Sequence, residues 1–204
     1  MTEKKKLTKK EKLAKAQKHY DEGEKYAQQG DADRAIECFL KTIELNPEHF
    51  DAFYNLGNVL YMGKGDWEKA FECWGRALRI KPEDIDCMYN VANTLRELGA
   101  NDKAIEFYTK IVTLVPDDHE AWNNMAIAYA NKNETDKAIE CWKKAVEIKP
   151  SKIESWSGLS KLYDDLGKFD LAIEALEKVL EINPNISGAK SMLKRIKKAK
   201  KSKD

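Results

Sequence analysis

The most ligand-like run in the chain is Asp117-Asp118-His119-Glu120, where carboxylates beside an imidazole offer a cation its ligands or a substrate a proton relay. The surroundings support neither use. The other histidines, His19 and His49, are remote in sequence, and none of the three has a Cys, Asp or Ser partner at a catalytic or metal-binding spacing. H-E-x-x-H, C-x-x-C and G-x-S-x-G are all absent. The run falls where a helix should begin, and acids are favoured there by unpaired backbone N–H groups. Of the cysteines, Cys38, Cys73 and Cys141 each precede a bulky residue (Phe39, Trp74, Trp142), a repeated position that a disulfide framework would not require. With Cys87 they read as small buried apolar groups in a reducing compartment. The residues therefore define no catalytic, cofactor-binding or metal site, and the chain is expected not to be an enzyme.

The elements that position these residues follow from composition and periodicity. The 204 residues are 42% hydrophobic and 35% charged, more charged than the roughly 25% of an average domain and too apolar for a disordered chain. The net charge of +1 hides a segregation. Residues 1–15 hold seven Lys against two Glu, and residues 187–204 hold eight basic residues against one Asp, so the segment between carries −11. No apolar run approaches the roughly 18 residues of a membrane span, and the Lys-rich start does not read as a secretory signal. An intracellular, soluble and most simply cytoplasmic location is expected.

The five prolines, Pro47, Pro82, Pro116, Pro150 and Pro184, are 35, 34, 34 and 34 residues apart. Such a period signals stacked supersecondary units. The units are 16–49, 50–84, 85–118, 119–152 and 153–186, between a Lys-rich extension (1–15) and a basic capping helix with its tail (187–204). The Lys-rich extension either prolongs the first helix or stays disordered. One column is invariably alanine (Ala35, Ala70, Ala104, Ala138, Ala172), and a second is small (Gly23, Gly57, Ala92, Ala126, Ser160). Together they let two helices approach closely. Large residues at i, i+3 and i+7, as in Trp122, Met125 and Tyr129, give the first helix of each unit (helix A) an apolar stripe. Ala138, Ile139, Trp142, Ala145 and Val146 give the second (helix B) another.

Between the helices stand Gly30, Gly65, Gly99, Asn133 and Gly167, residue types suited to a left-handed turn. Three residues on, an acid recurs (Asp33, Glu68, Asp102, Asp136, Asp170), suited to capping helix B or to its positive dipole end. The additional residue of the second unit, within Met62-Gly63-Lys64-Gly65, predicts a longer turn, and Trp67 falls within that turn.

Over residues 16–186 these columns resemble the tetratricopeptide family, and Tyr54-Asn55-Leu56-Gly57-Asn58 reads like its consensus. The resemblance implies an all-α fold, a right-handed α-solenoid of antiparallel helix pairs, with helices A lining a concave groove. It also implies that positions beside the apolar stripe face that groove: Tyr54, Asn55, Asn58, Tyr89, Asn90, Asn93, Asn123 and Asn124. An asparagine row offers donors and acceptors to an extended peptide backbone. It resembles the ladder by which O-linked N-acetylglucosamine transferase holds peptides.

The same positions collect Asp21, Glu24, Asp51, Asp86, Glu97, Glu120, Glu154, Asp164 and Asp165 against Arg96 and Lys161, so a neutral or basic partner is expected over an acidic one. The family members that grip the acidic C-termini of Hsp70 and Hsp90 use cations that this chain lacks at the matching positions. The chain is therefore expected to be a non-enzymatic protein-interaction scaffold or adaptor with no cofactor. The alternative is tethering of nucleic acid or an anionic membrane surface by the basic termini.

Overall fold

The computed structural model describes residues 7–202, and among these all regular structure is helical. The helices are α1 (Lys9–Gln28), α2 (Ala32–Leu45), α3 (Phe50–Lys64), α4 (Trp67–Ile80), α5 (Ile85–Glu97), α6 (Asn101–Leu114), α7 (His119–Asn131), α8 (Thr135–Ile148), α9 (Ile153–Asp165), α10 (Phe169–Ile182) and α11 (Ala189–Lys201). The chain divides after Thr94 into two compact units.

In the first unit, α1 pairs with α2 and α3 with α4, and α2 packs on α3. The absence of side chains at two glycines makes this pairing possible. A Cβ on Gly23 would stand 2.7 Å from the Phe39 ring, and one on Gly57 would stand 2.5 Å from Trp74 Nε1. Phe39 and Trp74 are buried over these gaps, beside the fully buried Ala35 and Ala70. The first helix begins before the repeat. Thr8 caps it in a reciprocal capping box with Glu11, so residues 9–15 of the Lys-rich extension are helical, while residues 1–6 lie outside the described part.

In the second unit, α7 pairs with α8, α9 with α10, and α11 closes against α10. Tyr108, Trp142 and Leu176 occupy the bulky column and are buried, with Ala104, Ala138 and Ala172 beside them. Trp142 lies over Gly158 of the following helix A, where a Cβ would come within 2.5 Å of the indole. Ser160, the largest member of the small column, is tolerated because its hydroxyl donates to the Ala172 carbonyl at 2.9 Å.

The hairpin closures show why glycine recurs. Gly30, Gly99 and Gly167 have φ of +76°, +76° and +67°, and Asn133 holds the same left-handed conformation at +60°. In each, that residue's amide bonds three residues back and the next amide bonds five back, which satisfies the last carbonyls of the helix. The second repeat differs from expectation. Its additional residue enters α3 instead of lengthening the turn. The Gly65 amide reaches Tyr61, the Asp66 amide reaches six residues back to Leu60, and Trp67 is already the first residue of α4.

The recurring acids Asp33, Glu68, Asp102, Asp136 and Asp170 lie within the first turn of each helix B, where they face its positive end. The cap itself falls two residues earlier and is made by a carboxylate only at Asp31 and Asp66. In the C-terminal cap, Ile196 is fully buried, and Arg195, Lys197 and Lys200 pair with Asp164, Glu177 and Asp170.

Candidate functional site

Tyr54, Asn55 and Asn58 lie on α3, and Tyr89, Asn90 and Asn93 on α5, all in the first unit; Asn123 and Asn124 lie on α7 in the second. On α3 and α5 the helical spacing puts each set on one face, and on that face the side chains bond from repeat to repeat. Asn55 Nδ2 donates to Tyr20 Oη at 3.0 Å, and Tyr20 Oη donates to Glu24 Oε1 at 2.8 Å. Burial raises the Tyr20 phenol well above its ordinary range, reinforced by Glu24 and Asp51, so it stays a protonated donor. Its ring lies 4.7 Å from that of His49, whose Nδ1 caps α3 by accepting from the Ala52 amide at 3.3 Å.

One repeat on, Asn58 Oδ1 accepts from both Trp74 Nε1 at 3.1 Å and Asn90 Nδ2 at 2.9 Å. The side chain therefore joins helix A to its own helix B and to the next helix A. Asn55, Asn58, Asn90 and Asn93 remain half-buried, with Tyr54 and Tyr89 beside them. Tyr54 stacks on Phe50 at 6.0 Å, and the outer face of Phe50 carries the Lys81 ammonium at 3.9 Å.

Asn123 is 4% exposed, and its Oδ1 accepts from Trp142 Nε1 at 3.2 Å and Ser155 Oγ at 2.9 Å, which commits its amide oxygen within the second unit. The physical reason is Trp142: an indole N–H buried in the core column needs an acceptor, and this amide supplies it. Sequence inspection missed the pairing because α7 has two adjacent asparagines and spacing alone does not say which turns inward. Asn124 remains half-buried.

The charges also differ between the units. In the second, Glu120 pairs with Lys152 at 2.6 Å and Asp164 with Arg195, so neighbouring cations offset carboxylates assigned to the groove. In the first, Asp21 accepts from Gln17 and Glu24 from Tyr20, and neither they nor Asp51 take part in an ion pair among the described residues. Asp21, Glu24 and Asp51 thus leave uncompensated negative charge on the helix A face of α1 and α3.

The candidate chemical groups have structural uses. Asp118 Oδ1 caps α7, accepting from the Glu120 and Ala121 amides at 3.0 Å each. Burial pushes the thiols of Cys87 and Cys141 up to about 12 and that of Cys73 up to about 11, far from thiolate reactivity at neutral pH. No described helix is long and apolar enough to cross a membrane.

Models of the tetratricopeptide repeat match residues 23–63, 60–119, 119–152 and 153–186. Among solved structures, the chain is similar to MamA with a TM-score of 0.77 and 24% identity, covering 86% of this chain and 94% of that one. It is similar to YrrB, "a TPR protein with an unusual peptide-binding site", with a TM-score of 0.75 and 24% identity over 86% of this chain and 90% of that one. A repeat protein of Parabacteroides merdae superposes with a TM-score of 0.80 at 18% identity, covering 90% and 72%. These likenesses concern the fold. An uncharacterized protein of Methanocaldococcus jannaschii is 42% identical over 45 residues, which is 22% of this chain. The matched segment spans about half, 52%, of that relative.

Proposed function

The chain belongs to the tetratricopeptide-repeat family, and from that premise we propose that it is a non-enzymatic interaction scaffold holding an extended, neutral or basic protein segment on its first unit. The observation that carries this reading is one face of α3 and α5 with Tyr54, Asn55, Asn58, Tyr89, Asn90 and Asn93 half-buried, flanked by the carboxylates of Asp21, Glu24 and Asp51 outside any ion pair among the described residues. Half-buried amides fixed by a neighbouring repeat are pre-organised, so a partner's backbone meets donors and acceptors already in place. Asn55 and Asn90 each use one donor on a neighbour and keep an amide oxygen and a second N–H. A peptide-binding site in YrrB, on a similar fold, supports this class of partner. In the second unit Asn124 is the remaining candidate contact.

The test is photocrosslinking with benzoylphenylalanine at position 54, 89 or, as the control, the exposed Arg76 of the helix B α4, followed by identification of captured protein from the native cell. Capture at 54 and 89 but not at 76 is the expected result. Asn55→Ala and Asn90→Ala should each weaken binding of the captured segment by about 1 kcal/mol, roughly fivefold. Capture at 76 alone would place the partner on the other face and end this reading.

The basic ends support a second reading, the tethering of nucleic acid or an anionic surface. Lys9, Lys10, Lys12, Lys15 and Lys18 stand on a capped helix, exposed and outside any ion pair among the described residues. Loss of RNA or anionic-vesicle binding on deleting residues 1–15 and 187–204 would support it, and no binding at low salt would end it.

A further inference from the structure

The first unit contains an apolar pocket that the asparagine row does not explain. It has a volume of about 350 Å³ and is lined by Ala27, Gly30, Ala32, Asn58, Val59, Met62 and Gly63. Three features keep it open. Gly30 and Gly63 contribute no side chain, and Ala27 contributes only a methyl. A Cβ at Gly63 would meet the Ala32 methyl at 3.0 Å and pinch the floor shut. Met62 lines the pocket while 85% exposed, so its flexible thioether is free to move over the opening.

The charges around the pocket are asymmetric and indicate what covers it. Towards the C-terminal end of α3, Lys64 is already paired with Asp33 at 2.7 Å. Towards the N-terminal end of α1, Glu24 and then Asp21 precede Ala27 by three and six residues, with Asp51 on α3 close enough to act on the same Tyr20. Pocket and carboxylates are therefore about 4.5–9 Å apart along α1, at about 1.5 Å per residue. An extended peptide rising about 3.3 Å per residue spans that distance in two or three residues.

We propose that this pocket receives one large apolar side chain of a partner peptide whose lysine or arginine, two or three residues away, reaches Glu24 and Asp21. The proposal rests on the groove reading above and gives it a sequence preference: an apolar anchor beside a cation, in an otherwise indifferent extended segment. Met62 folds over the anchor as its lid.

The test uses the full chain labelled with [¹³C-methyl]methionine and nonapeptides of Gly and Ser carrying one Leu and one Arg two or three residues apart. Met62 is exposed while Met88 and Met125 are buried, so its methyl resonance, assigned with Met62→Leu, reports on this pocket. The expected result is a shift of the Met62 signal with little change at Met88 and Met125. Binding should weaken at least fivefold when the peptide's Leu becomes Ser or its Arg becomes Glu, and about tenfold in Ala27→Leu, which fills the pocket from its wall. Met62→Gln should weaken it in the same direction, which covers the case in which the larger side chain at position 27 disturbs α1. An unmoved Met62 signal, or equal binding by Ala27→Leu and Met62→Gln, overturns the proposal. Leu and Ser peptides that bind equally, with binding lost on Tyr54→Ala, also overturn it while leaving the groove reading intact; crosslinking at position 76 alone is what removes that reading.

Discussion

Replacing Asn123 by alanine should damage the second unit without touching the proposed peptide face. The substitution removes an acceptor serving two buried donors, Trp142 Nε1 at 3.2 Å and Ser155 Oγ at 2.9 Å. Leaving a buried donor unsatisfied costs about 1–3 kcal/mol. The two donors are unequal. The Ser155 hydroxyl can rotate about its side-chain bond to seek another acceptor, whereas the indole N–H is fixed by a ring wedged over Gly158. The sum is therefore about 2 kcal/mol, most of it from Trp142. For a chain of this size that corresponds to roughly 4–8 °C in melting temperature. The assay is urea and thermal unfolding of Asn123→Ala, Ser155→Ala and the double variant, followed by circular dichroism. The double variant should lose about 1 kcal/mol less than the sum of the singles, since each single removes the same contact. A loss below about 0.5 kcal/mol for Asn123→Ala, or strict additivity, would refute the assignment of this amide to the core.

Gly57→Ala should destabilise the first unit by about 1–3 kcal/mol, because its methyl would stand 2.5 Å from the Trp74 ring, while Gly75→Ala, in open space on α4, should stabilise it by up to about 1 kcal/mol. Denaturant titration of the pair separates close approach from helix propensity, and equal effects would contradict it. Gly99→Ala, at φ +76°, should cost about 1 kcal/mol in the same assay, and Asn133→Gly should be neutral or stabilising. Ile196→Ala should cost about 2–5 kcal/mol and expose the lysines of α11 to trypsin at rates that leave α10 intact. Native protein at pH 8 should react slowly with a thiol reagent at the buried Cys87 and Cys141 and rapidly in urea; fast native labelling would contradict their burial and raised thiol pKa values.

The repeat architecture was legible because its determinants are steric and local. A proline period, a glycine or asparagine at φ of +60° or more and a fully buried alanine each report one steric requirement. What escaped sequence reading depends on rotation about a helix axis. Asn123 and Asn124 are neighbours, yet only the buried one meets Trp142, and a 100° step between adjacent residues decides which. The additional residue of the second repeat entered the helix because an amide can still find a carbonyl six residues back, so a one-residue insertion did not demand a looser turn. The groove's acidity was also overcounted. Glu120 and Asp164 looked uncompensated along the sequence, but Lys152 and Arg195 lie 32 and 31 residues away in it and adjacent in space.

The side-chain bonds that leap about one repeat, Asn55 to Tyr20, Asn90 to Asn58 and Ser155 to Asn123, have a consequence for how the molecule comes apart. When one hairpin peels away, the hairpin it leaves behind loses the same bond, so partial opening is penalised on both sides of the tear. Hydrogen exchange should accordingly find linked neighbours opening in concert, as blocks of two or three hairpins, and not as beads released singly from a string.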